Sequence, residues 1–364
     1  MVKVAMSRPE TRAPLLNLLG DGPRFGEDGD AGDHEWLSYD QWSELHGNLL
    51  KCVKNMVMEP QTLDNMQAGG AISKLVPFLK GGHEQPGAGS GGRDRGGARS
   101  GGNLHDVAML ALFYLCRINR GRQEQAARAG IIPHLQRAIR ARSNNQHTAV
   151  AILCDLPHSS ASARSALWEQ GSCAFFITLL DKEYWQIDVL RALAEWLGHE
   201  SSCPALGGAA GDDIGRRLLG EGEQLSVSRV ESVLIETRSI QAIVNVFCRS
   251  QNFEACLETL LTIVSKSAVM AAAMGNSSLF ITEVVHRLTY PKAIVRKNLL
   301  MIVKCLYKHH TDRLSMAVDF NLYAIVKQLA KDDRMVRVHA AVVLLHDGGV
   351  DDDMVYTCIH VPAS

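Results

Sequence analysis

Aromatic residues are scarce, at 6% of the 364 residues, although 46% of the chain is hydrophobic. A core with so few rings rests on Leu, Ile, Val, Ala and Met, a mix that suits helices packed on helices better than a β-sandwich. The 9 cysteines include no CxxC pair, so the clustered thiolates of a structural zinc site are missing. Most of them, such as Cys52, Cys116, Cys154 and Cys305, fall inside apolar helical patterns and read as buried thiols in a reducing compartment. His309 and His310 are adjacent, and neighbours on a helix point about 100° apart, a poor chelate. There is no dense Lys/Arg run, and 39 acidic residues against 38 basic ones leave a formal net charge of -1. The electrostatic footprint of a nucleic-acid binder is therefore absent. The apolar patch near the start, Leu15-Leu16-Asn17-Leu18-Leu19, is too short for a signal segment, and no apolar run approaches a membrane span. These features predict a cytoplasmic protein with no cofactor, no metal and no membrane span.

Catalytic motifs are missing as well. The Gly-rich tract around Gly89 has no Gly-Lys-Ser/Thr triplet, so it is not a phosphate loop. Val318-Asp319-Phe320-Asn321 lacks the glycine of a kinase metal-binding segment, and no nucleophile elbow of the Gly-x-Ser-x-Gly type occurs. The carboxylates of Asp212-Asp213 and Asp351-Asp352-Asp353 read as solvated charge rather than general acids or bases. The chain is expected not to be an enzyme.

What is present is a repeat. A short helix ends at a Gly or Asn, and an apolar helix follows. The break reads Gln67-Ala68-Gly69-Gly70-Ala71-Ile72, then Arg128-Ala129-Gly130-Ile131-Ile132, Glu169-Gln170-Gly171-Ser172, Ala273-Met274-Gly275-Asn276 and Asp319-Phe320-Asn321-Leu322. A left-handed helix end would ask for those residues. Gly130 and Gly171 are 41 residues apart, and Asn276 and Asn321 are 45 apart. Periods of about 40–47 residues belong to armadillo and HEAT arrays, in which neighbouring units bury each other's apolar faces. A long third helix in each unit favours armadillo. Within it Val189, Leu190, Leu193, Ala194 and Leu197 fall on one side, as do Leu257, Leu260, Leu261 and Val264, and Leu299, Ile302, Val303 and Leu306.

The fold expected is thus an all-α, right-handed armadillo-type solenoid of about six to seven repeats, covering residues 36–348. A flexible N-terminal segment (1–35), a C-terminal tail (349–364) and two disordered insertions (81–102 and 201–228) complete the chain. In such a stack the third helices line one face, and their polar column reads Asn55, Arg117, Asp155, Glu195 and Cys305. Importins and catenins clamp a peptide with a ladder of Asn and Trp. Only Asn55 fits that column, and Trp185 and Trp196 do not supply the regular partner. Asp155 and Glu195 give the column an acidic lean that suits a basic partner. Tyr184 and Trp185 sit at a repeat junction, either as a partner anchor or as a plug in the core. Asn55, Arg117, Asp155, Tyr184, Trp185 and Glu195 are the candidate partner-binding residues.

Four phrases carry a resemblance: Asn48-Leu49-Leu50-Lys51-Cys52-Val53-Lys54-Asn55, Ile152-Leu153-Cys154-Asp155-Leu156, Asp181-Lys182-Glu183-Tyr184-Trp185 and Tyr307-Lys308-His309-His310. In this order they resemble the C-terminal armadillo region of the plant MAP kinase kinase kinase epsilon family, related to fungal septation-initiation kinases. The likeness runs from about Leu45 to Leu345. It implies a regulatory and localising scaffold in cytokinesis signalling, with a Ras-like small GTPase or a kinase-pathway component as partner. No catalytic residue of the family transfers, because no kinase motif is here. The other reading from the repeat is a stand-alone adaptor for ubiquitin ligation or transport.

Overall fold

The computed structural model describes residues 8–20, 39–80, 100–200, 227–250 and 252–332. Among these every regular element is helical, and the fold is an all-α armadillo-type solenoid. The helices are α1 Pro9–Leu18, α2 Tyr39–Val57, α3 Leu63–Ala68, α4 Ala71–Leu75 and α5 Ser100–Cys116. They continue as α6 Arg120–Arg128, α7 Ile132–Arg140, α8 Gln146–Asp155, α9 Ala161–Glu169, α10 Ser172–Leu179 and α11 Gln186–Glu200. The remainder are α12 Arg229–Leu234, α13 Thr237–Arg249, α14 Phe253–Lys266, α15 Ala268–Gly275, α16 Ser278–Arg287, α17 Ala293–His309, α18 Arg313–Asp319 and α19 Leu322–Asp332. From α3 to α17 they group in chain order into five triplets, the third helix of each being its longest. The chain forms two compact units, residues 1–172 and 173–364.

In the first unit α2 packs on α5, α5 on α8, and α7 on α8, while α6 meets α9. Leu50, Val53, Leu112, Leu115, Ile152 and Leu153 fill the seam and are at most 1% exposed. In the second unit α11 packs on α14 and α14 on α17, with α13 and α15 covering the long helices. Here the expected faces are buried: Val189, Leu190, Leu193 and Leu197 on α11, and Leu299, Ile302, Val303 and Leu306 on α17. Leu261 departs from its set and is only half-buried. Arg287 closes one seam of this unit. Its guanidinium lies 4.6 Å from the Phe247 ring centre and 4.4 Å from that of Phe253, and its Nε donates to Glu283 at 2.6 Å.

Short polar side chains open the first helix of each later triplet. Asn119 accepts from the Arg122 N–H at 2.9 Å, Ser160 from Ala163 at 3.2 Å, and Ser267 from Met270 at 3.0 Å. Asp312 does the same for α18, accepting from Ser315 at 2.9 Å. Ser228 forms a capping box with Glu231. Each cap satisfies an N–H that the first helical turn leaves orphaned, which lets the chain reverse sharply after a long helix.

The glycine breaks hold in part. Gly70, Gly130 and Gly171 have φ of 72°, 82° and 62°, and Asn321 has φ of 48°. The fourth break is a correction: Asn276 has φ of -78°, and Gly275 is the last residue of α15. A Cβ on Gly275 would sit 3.3 Å from the His310 ring, so close packing is what that glycine serves.

The N-terminal expectation also needs correcting. Within residues 1–35, expected to be flexible, α1 is ordered against α3 and the Gly69 that follows it. Leu16 and Leu19 are 1% and 0% exposed, Arg12 donates to the Asn65 carbonyl, and a Cβ on Gly69 would lie 2.7 Å from Leu16. The apolar patch is too short to nucleate alone and is held by tertiary burial. The insertions 81–102 and 201–228 lie outside the described residues except at their edges. Ser100 already begins α5, Val227 is 2% exposed and Ser228 caps α12. The tail 349–364 lies wholly outside them, as does the solenoid expected beyond residue 332.

Candidate protein-interaction surface

The long third helices turn one side to their neighbours and one to solvent, and the solvent side is where the sequence places its polar column. In the first unit α2, α5 and α8 pack side by side. A Cβ on Gly47 would lie 3.6 Å from Leu104, and the Asn145 amide, just before α8, donates to the Asp106 carbonyl at 3.1 Å. Asn55 is exposed near the end of α2, Arg117 is exposed just after α5, and Asp155 is half-exposed as the last residue of α8. Arg117 and Asp155 come to the same end of the stack. Burial first, and then the Asp155 charge, push the neighbouring Cys116 thiol up to about 12, while Arg122 opposes that rise.

On α5 itself a half-exposed strip of Leu110, Phe113 and Tyr114 precedes Arg117, with Phe113 and Tyr114 edge to face at 5.6 Å. Ile118 follows Arg117 and is 86% exposed at φ 62°. A β-branched residue in that region is strained.

In the second unit Glu195 is half-exposed on α11 and accepts from or pairs with His199 at 3.2 Å. The adjacent Tyr-Trp pair is divided. Lys182 is extended, a 3-10 turn covers Glu183–Trp185, and the chain enters α11. That turn leaves Tyr184 80% exposed and Trp185 only 8% exposed. Trp185 therefore sits in the core and Tyr184 faces outward. Trp196 is fully buried, edge-on to Phe176 at 6.4 Å.

The charge of this face changes from helix to helix. α14 and α17 share one buried pattern with a shift of 43 residues: Cys256, Leu257, Leu260 and Val264 correspond to Leu299, Leu300, Val303 and Tyr307. The outward positions of α14 are then Glu254, Glu258, Leu261, Thr262 and Ser265, and those of α17 are Lys297, Met301, Lys304, Cys305 and Lys308. Glu254 is engaged at the seam. It accepts from the Tyr290 hydroxyl at 2.9 Å and from Lys292 Nζ at 2.8 Å, and these hydrogen bonds, the one from Lys292 foremost, hold its carboxyl below the usual range. The acidic lean read from Asp155 and Glu195 thus does not extend to α17, which is basic. Sequence reasoning passed over these lysines because they form no run; only the repeat register places them in one stripe.

Among the described residues no group of three or more His, Cys, Asp or Glu side chains gathers to hold a metal, and His310 Nδ1 accepts instead from the Asp312 N–H at 3.0 Å. No single described helix is long and apolar enough to cross a membrane. The one pair that approaches the test, α14 with α15, is bent by 116°.

No family model matches the chain. Curated relatives do. MAP3K epsilon protein kinase 1 of Brassica napus is 30% identical over 291 residues, which is 79% of this chain and 19% of the relative. Cytokinesis protein sepH of Aspergillus niger is 26% identical over 287 residues, 78% of this chain and 19% of the relative. The chain spans about a fifth of the length of the curated relatives it matches. It is homologous to that stretch of the MAP3K epsilon and sepH proteins, and the stretch, being a helical repeat array, is not their kinase domain. Among solved structures, an engineered protein superposes with a TM-score of 0.53 at 17% identity, covering 93% of this chain and 79% of that one, a likeness of fold.

Proposed function

We propose that the chain is a non-catalytic scaffold segment of the MAP3K epsilon and sepH type, which binds a signalling protein in the control of cell division from the cytoplasm. The observation that carries this reading is the homology to proteins named for cytokinesis and MAP3K activity over a stretch that folds as an armadillo array. Such an array offers, within each unit, long helices whose outward sides form a surface for a partner. Asn55, Arg117 and Asp155 in the first unit and Tyr184 and Glu195 in the second are the contact residues proposed, with Trp185 supporting Tyr184 from the core. The partner class is a Ras-like small GTPase or a kinase-pathway component. Immobilised chain, exposed to GTP- and GDP-loaded small GTPases and to purified pathway kinases, is expected to retain one of them in a saturable manner. Failure to retain any of them, or phosphotransfer by the chain alone, overturns the reading.

A further inference from the structure

The outward stripe of α17 is chemically unlike that of its neighbour. Lys297, Lys304 and Lys308 replace, one repeat on, Glu254, Leu261 and Ser265. At 1.5 Å of rise per residue the three ammonium groups are spread over about 16 Å of helix. Lys304 and Lys308 are four residues apart, so they face each other as like charges, an arrangement that destabilises a helix. Among the described residues no carboxylate pairs with any of the three lysines: Glu254 is committed to Lys292 and Glu283 to Arg287, and Glu258 on α14 makes no ion pair. Lys308 is exposed, and Met301 and Cys305 lie half-exposed between the lysines as an apolar floor. The charges therefore serve neither the core nor the seam between repeats.

We infer that the α17 stripe of Lys297, Lys304 and Lys308 is a docking strip for an acidic segment of a partner protein. This deepens the scaffold reading and rests on it. A protein segment is favoured over a polyanion such as RNA because the neighbouring helix presents Glu258, exposed, beside the strip. A uniformly negative chain long enough to cross both helices, about 9 Å apart, meets repulsion there, whereas a peptide places its acidic residues on α17 alone. The half-buried Met301 and Cys305 accommodate an aliphatic side chain between the acidic ones.

The test uses the full chain and three fluorescent probes: an acidic peptide of alternating Glu and Leu, its Lys–Leu counterpart, and a single-stranded RNA. The acidic peptide is expected to bind and to weaken steeply with salt. The triple variant Lys297→Glu/Lys304→Glu/Lys308→Glu is expected to lose roughly tenfold or more in affinity. Lys74→Glu, on α4 in the first unit, is the control and leaves binding unchanged. Circular dichroism checks that the variants remain folded. Preference for RNA over the acidic peptide, or equal binding by the triple variant, overturns the docking strip. The scaffold reading is judged separately: a partner retained equally by wild type and triple variant sinks only the strip, and no retained partner sinks the scaffold.

Discussion

Ile118 presents its β-branched side chain to solvent while its backbone is left-handed, so its strain is offset by nothing it touches. Replacing it with Asn, which tolerates that region, is expected to stabilise the first unit by about 1 kcal/mol, read from urea unfolding. A lower midpoint would mean that the side chain packs in a way its exposure denies. His134 has the opposite character: 9% exposed on α7, with Nδ1 buried and unpartnered among the described residues. Burial first, and then the nearby cations Arg137 and Lys80, lower its pKa below 6.5. The unfolded chain therefore takes up the proton more readily than the folded one. Stability from this group is complete above about pH 6.5 and declines as pH falls from there toward the folded-state pKa. The melting midpoint is expected to drop between about pH 7.5 and 5.5, and His134→Leu is expected to flatten that dependence.

The cap that opens α12 is joined to the one that opens α15. Glu231, 5% exposed, accepts from the Ser228 N–H at 2.7 Å and from the Ser267 hydroxyl at 2.5 Å, while Ser267 itself caps α15. Glu231→Ala removes a capping box and leaves one buried and one half-buried donor without that partner, so a loss of about 2–4 kcal/mol is expected in chemical denaturation. Ser267→Ala in the same background is expected to cost less than it does alone, because its partner is already gone; strict additivity would show that the two caps are independent. The helix breaks at Gly130 and Gly171 and the apolar faces of α11 and α17 were legible in the sequence, because backbone sterics and a period of 3.6 act locally. Gly275 misled for the same reason, since its role lies in contact with His310 of the next triplet, where no local pattern records it. The polar column was legible as positions, yet the lysines of α17 were not, since they form no run and group only in the register that burial sets between α14 and α17. Nor could Tyr184 and Trp185 be told apart until the 3-10 turn set their directions.

At the scale of the molecule, the seven cysteines in described segments are thiols, and their surroundings grade their reactivity. Cys52 is exposed, whereas Cys116 and Cys173 are buried and their thiols are pushed up to about 12, mainly by desolvation. Alkylation followed by peptide mass spectrometry at pH 8 is expected to label Cys52 well before Cys116, Cys154, Cys173 and Cys256, which react only on unfolding. Early labelling of the buried four would show that the two units open far more readily than their packing implies.

The side-chain caps at the starts of the short helices carry one more consequence. Because Ser228 and Glu231 restart helix α12 from their own atoms, the array recovers its phase after residues 201–226 whatever the length or composition of that stretch. Such self-starting repeats make the preceding junction a place where evolution can lengthen the chain, and where an affinity tag or a protease site can be spliced in, without shifting the register of the helices that follow.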